Sequence, residues 1–166
     1  GLGGKNTNTL AKETDLAIAV GTKLADFTTG SWANFENKDF KLVSINVSRF
    51  DANKHLAQAV IGDAKVSLTE LSQVLGSWKA GEEWNKKSQI ELKSWNEHID
   101  KESAPTNQEV PSYVQVIGAI YRNSDPTDIA VTAAGGLVGE VVQVWRPREL
   151  NTHETEWGFS CMSYEI

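Results

Sequence analysis

Asp15–Gly30 reads DLAIAVGTKLADFTTG. Leu16, Ala17, Ile18, Ala19 and Val20 form an unbroken apolar run. Such a run predicts a parallel-sheet strand covered by helices above and below, because both of its faces are apolar. Gly21 ends the run and a polar loop follows. In open α/β sheets, ligands lie beyond the carboxyl ends of the strands, which puts a candidate site after Gly21.

Working outward, Gly1–Asn6 reads as a glycine-rich loop and Thr7–Thr14 as a short helix feeding the strand. Phe27–Asn37 is loop-like, with Trp32 and Phe35 packing locally. Lys41–Val47, KLVSINV, is a second strand on its β-branched and aliphatic content. Asp51 is placed to cap a short helix through Ala57, and Ala59–Gly62 is a third strand. Asp63 caps a helix over Ala64–Leu75, where Leu68, Leu71 and Leu75 form one core-facing stripe and Gly76 is the stop. Strand–helix alternation predicts a doubly wound parallel sheet with right-handed crossovers. In the charged stretch Ser77–Ile99, Leu92, Trp95 and Ile99 fit one helix face. The polar run DKESAPTNQE, Asp100–Glu109, reads as a linker. Pro111 opens a helix over Ser112–Asn123 with Val114, Ile117 and Tyr121 on its apolar side. Asp128–Thr132 is a further strand, with Ala133-Ala134-Gly135-Gly136 at its carboxyl end.

The 166 residues suffice for one α/β core and part of a second. A formal net charge of -6, with no run of more than two Lys or Arg, argues against nucleic acid or an anionic membrane as a partner. The lone Cys161 excludes an internal disulfide and fits a reducing, cytoplasmic compartment. No apolar stretch approaches the length of a membrane span. The glycine-rich start and the abrupt end at Tyr164-Glu165-Ile166 suggest a piece excised from a longer protein.

His55, His98 and His153 share no ligand spacing, so surface positions and no metal site are expected. Cys161 has no nucleophile motif beside it and reads as a small buried hydrophobe. Asn46 stands where a dinucleotide fold often places an acidic residue for a ribose, which, with no GxGxxG ahead, argues against NAD or FAD. Gly135 and Gly136 could let backbone N–H groups approach a phosphate, although paired glycines also make ordinary turns. Trp157–Ile166, WGFSCMSYEI, has small residues around Met162 that suit close packing, a core turn by composition.

Together these segments resemble the thiamine-diphosphate-dependent enzymes of the acetolactate synthase and pyruvate decarboxylase type. Asp15–Thr29, Leu42–Val47 and Val60–Asp63 resemble that superfamily's central domain. Pro111, Val131–Gly136 and Trp157–Met162 resemble the start of its diphosphate-binding domain. Within the superfamily, TAAGG at Thr132–Gly136, VWRPRE at Val144–Glu149 and GFSCM at Gly158–Met162 are most similar to the branch that hydrolyses trihydroxycyclohexane-1,2-dione in myo-inositol breakdown. The resemblance implies a Rossmann-like central domain over residues 1–100, a linker over 101–111 and a truncated second α/β unit over 112–166.

It also implies thiamine diphosphate and Mg2+ in the full-length enzyme, a cyclic dione substrate opened to 5-deoxy-glucuronate, and a homodimer or homotetramer. The cofactor-binding residues it implies are Ala134, Gly135, Gly136, Ser160, Cys161 and Met162. Gly135 and Gly136 would line the diphosphate, the Ser160 carbonyl would meet the aminopyrimidine, and Met162 would support the bent cofactor. Ser163 stands where the family carries Gly, a strained choice if the backbone there has positive φ. The family's metal-binding GDG…N motif and its activating glutamate are absent from this stretch, so no catalytic residue and no metal ligand is assigned. The chain alone is expected to be inactive and to bind the cofactor weakly. A 2-keto-acid decarboxylase or carboligase, and a non-catalytic nucleotide-binding or scaffolding module, are the rival readings.

Overall fold

The computed structural model describes residues 3–106, 108–156 and 161–165. The chain is α/β and divides into two compact units, Gly3–Leu92 and Lys93–Ile166.

The first unit holds α1 (Lys5–Glu13), β1 (Leu16–Val20), α2 (Asp26–Thr29), β2 (Lys41–Asn46), α3 (Arg49–Ala52), β3 (Gln58–Ile61) and α4 (Ala64–Leu75). The strands form a parallel sheet in the order β1-β2-β3, with Ile18 opposite Val43 and Ile45 opposite Val60. The α/β class with a parallel sheet, expected from the strand–helix alternation, is thus observed, with the three strands in sequential order.

Burial differs from expectation. Leu42, Ser44, Ile45 and Asn46 of the middle strand β2 are buried. By contrast, Leu16 and Ile18 of β1 are close to half exposed, at 46% and 45%. The strand enclosed on both faces is therefore β2, because β1 lies at the edge of this sheet. The Leu68–Leu75 stripe of α4 is likewise not buried: Leu68 is 43% and Leu75 41% exposed.

Local signals explain most element ends. The Asp63 side chain accepts from the Val66 N–H at 3.0 Å, as a cap should, and Gly76 closes α4 with φ 54°. Asp51 is not a cap. Ser48 takes that role by accepting from the Asp51 N–H at 3.2 Å. The helix then stops at Ala52, and a separate 3-10 turn over Lys54–Leu56 follows, with His55 at φ 57°. Part of the expected loop after Gly21 is the short helix α2, and Trp32 packs on Phe35 with ring centroids 4.9 Å apart.

Helix α5 (Glu82–Glu102) contains the division between the units and runs two residues beyond Asp100. The second unit continues with α6 (Tyr113–Asn123), β4 (Ala130–Thr132), α7 (Gly136–Val144) and β5 (His153–Thr155). Ser112, not Pro111, sets the start of α6 as its N-cap. Its hydroxyl accepts from the Gln115 N–H, while the Gln115 side chain accepts from the Ser112 N–H. Ile99, Ile117, Val141 and Val144 make the core of this unit, flanked by Trp95, Val114 and Trp145. The apolar side read on α6 is therefore core, while Leu92, 54% exposed, is not. Strand β5, absent from the sequence reading, pairs parallel to β4 with Val131 opposite Glu154.

Candidate functional site

The site is built at the carboxyl end of β4. Thr132 ends the strand, Ala133 is fully buried, and the chain turns through Ala134 and Gly135 into α7. Gly135 has φ 120° and ψ 179°, a conformation open to glycine but strained for other residues. A Cβ at Gly135 or Gly136 would meet no atom within 4 Å, so the backbone faces open space. The N-cap Gly135 has no side chain with which to cap α7. The first N–H groups of a helix lack intrahelical acceptors and carry the positive end of its dipole. A glycine turn leading into a helix N-terminus has the backbone chemistry that receives anions.

Residues 161–165, the described residues at the end of the chain, come to the same end of the two-stranded sheet. The Glu156 N–H donates to the Thr132 carbonyl at 3.1 Å, one step beyond the β4–β5 ladder. The Glu156 carboxylate in turn accepts from the Cys161 N–H at 3.0 Å. Glu165 accepts from the Ala133 N–H, also at 3.0 Å. Two carboxylates therefore tie residues 161–165 to the strand ends from which Ala134, Gly135 and Gly136 depart. The Glu165–Ala133 bond spans 32 positions and leaves no local pattern in the sequence.

Other expectations are corrected. Cys161 is exposed, not a buried hydrophobe, and Met162 is 80% exposed instead of closely packed. Partial desolvation of the sulfur, with the Glu156 carboxylate beside it, pushes the Cys161 thiol above its usual range. Ser160 lies outside the described residues. Ser163 has φ 74°, so the conformation that favours glycine is indeed required where the sequence supplies Ser.

The remaining candidates have structural work. Asn46 donates through Nδ2 to the Thr22 carbonyl at 3.1 Å and accepts from the Ser48 N–H at 2.9 Å, joining the loops after β1 and β2. Arg148 of the VWRPRE run donates to the Ser124 and Asp125 carbonyls where α6 ends. Arg146 pairs with Asp100 at 2.6 Å, and both guanidiniums stand over the Tyr121 ring. His55 and His98 are exposed, whereas His153 is half-buried, its Nε2 without a partner among the described residues. Among those residues no three His, Cys, Asp or Glu side chains cluster as metal ligands, and no helix is long and apolar enough to cross a membrane.

Residues 1–71, which include the three parallel strands, match the family model of the thiamine pyrophosphate enzyme central domain. Over nearly its whole length the chain is similar to hydrolases of one name. It is 35% identical to the 3D-(3,5/4)-trihydroxycyclohexane-1,2-dione hydrolase of Clostridium tetani, across 99% of this chain and 29% of the relative. It is 34% identical to hydrolase 1 of that name from Bacillus cereus, across 96% of this chain and 28% of the relative. A Bacillus anthracis hydrolase of the same name is 33% identical over the same shares. The chain thus spans under a third of the length of these relatives.

Proposed function

We propose that this chain is part of a thiamine-diphosphate-dependent hydrolase that opens trihydroxycyclohexane-1,2-dione to 5-deoxy-glucuronate in myo-inositol breakdown. The observation that carries the reading is the similarity to hydrolases of that name over 96% or more of the chain. The open glycine turn at the end of β4 supports it from the structure.

In this reading residues 1–100 form the central domain, 101–111 the linker and 112–166 the start of the diphosphate-binding domain. Gly135, Gly136 and Ala134 hold the diphosphate through backbone N–H groups, where the helix dipole offsets its charge. Cys161 and Met162, anchored through Glu156 and Glu165, support the rest of the cofactor together with Ser160. Met suits that task because its unbranched thioether adapts to an irregular surface. When bound, thiamine diphosphate supplies the electron sink that lets a C–C bond beside a carbonyl break. Mg2+ belongs to the same cofactor, with ligands outside these residues. The working enzyme is a cytoplasmic homodimer or homotetramer acting on a small cyclic dione.

Glycine at a turn does not distinguish this hydrolase from a 2-keto-acid decarboxylase. The relatives' names favour the hydrolase. Assay of the intact enzyme separates the two: acid released from the cyclic dione without carbon dioxide supports the hydrolase, and carbon dioxide from 2-keto acids refutes it. Calorimetric titration of this chain alone with thiamine diphosphate and Mg2+ gives no tight, saturable binding, since in this reading the metal ligands and the activating glutamate lie outside these residues.

A further inference from the structure

The Ala133 N–H sits at a position where it must find an acceptor. Ala133 is fully buried, lies just past the last ladder residue of β4, and opens the turn through Gly135 into α7. A buried backbone donor left unpaired loses the stabilisation of its water contacts without replacement. Its acceptor is the Oε1 of Glu165, 32 residues later, at 3.0 Å. A bond from N–H to carboxylate is charge-assisted, and so stronger than one to a neutral carbonyl.

Its consequence is positional. Glu165 stands three residues after Met162 and four after Cys161, while its carboxylate is attached two residues before Gly135. The other end of the same segment is held by the Cys161 N–H bond to Glu156, whose own N–H is fixed on Thr132. Residues 161–165 are thus fastened at both ends to the carboxyl edge of β4 and β5. We propose that Glu165 is a positioning residue that holds Cys161 and Met162 at the strand end from which Gly135 and Gly136 depart, through its bond to the Ala133 N–H. Its bearing on cofactor affinity rests on the reading of that turn as the diphosphate cradle; the fastening itself does not.

Two measurements separate those layers. In this chain, Glu165→Ala speeds hydrogen exchange of the Ala133 amide by about tenfold and raises the alkylation rate of Cys161. Glu165→Gln, which keeps a carbonyl oxygen at the same reach, restores most of both. Unchanged exchange in Glu165→Ala, or no rescue by Glu165→Gln, overturns the fastening without touching the functional reading. In the intact enzyme, Glu165→Ala weakens thiamine diphosphate binding by about tenfold and Glu165→Gln recovers it. If exchange responds but affinity does not, the fastening stands and its role in the cradle falls. Tighter cofactor binding in Glu165→Ala would make Glu165 a competitor for the cradle and refute the proposal.

Discussion

Gly118→Ala tests the packing that holds the second unit together. Gly118 is buried on α6 against the end of α5. A Cβ there would lie 2.5 Å from the Ser103 Cβ, 2.9 Å from the Ser103 carbonyl oxygen and 3.1 Å from Arg122 Nη1. Alanine gains about 1 kcal/mol in helix preference over glycine. Overpacking costs about 1–3 kcal/mol. The upper part of that range applies, because a backbone carbonyl cannot rotate away and already accepts from Arg122 at 2.9 Å. The net loss is about 1–2 kcal/mol. Gly139→Ala in α7 is the control, since no atom lies within 4 Å of its would-be Cβ. It gains about 0.5–1 kcal/mol from preference alone. Urea unfolding followed by circular dichroism reads both variants. Gly118→Ala as stable as the parent, with Gly139→Ala behaving as expected, would refute the close approach of α6 to Ser103.

Cys161 alkylates more slowly than an unperturbed thiol at pH 8, and Glu156→Gln speeds it, because desolvation and that carboxylate both disfavour the thiolate; iodoacetamide kinetics measure this. Asp63→Ala removes the cap of α4 and destabilises the first unit by about 1 kcal/mol in denaturant unfolding. The Lys54 ammonium, 2.7 Å from Asp51, holds that carboxyl below its usual range. A lowered folded value means stability that is present above the ordinary carboxylate range and lost as pH falls through the lowered one. Asp51→Asn therefore flattens the acid limb of a pH–stability profile and leaves its shape above neutrality unchanged.

Signals contained within a few residues were the legible ones. The β1, β2 and β3 runs, the Asp63 cap, the Gly76 stop and the Val114–Ile117–Tyr121 side of α6 need only local periodicity and caps. What escaped depends on partners distant in sequence. Strand β5 is three residues, His-Glu-Thr, without an apolar pattern; pairing with β4 makes it a strand. Helix α7 begins with glycine and is rich in valine, against its propensity, yet burial of Val138, Val141 and Val144 stabilises it. The position of β1 at a sheet edge also cannot be read from its own residues, which is why its apolar run suggested more burial than it has. At the site, the glycine turn was visible in TAAGG, and the need for positive φ at Ser163 could be anticipated from the family comparison. The glutamates that join its two halves could not.

Gly135 tests most directly whether the turn from β4 into α7 cradles the diphosphate. Calorimetric titration of the intact enzyme with thiamine diphosphate and Mg2+ should show Gly135→Val weakening binding by about tenfold or more, because φ 120° resists a side chain and the donors would be displaced. Gly139→Ala, within the same helix, should bind as the parent does. Unchanged affinity in Gly135→Val would contradict the account.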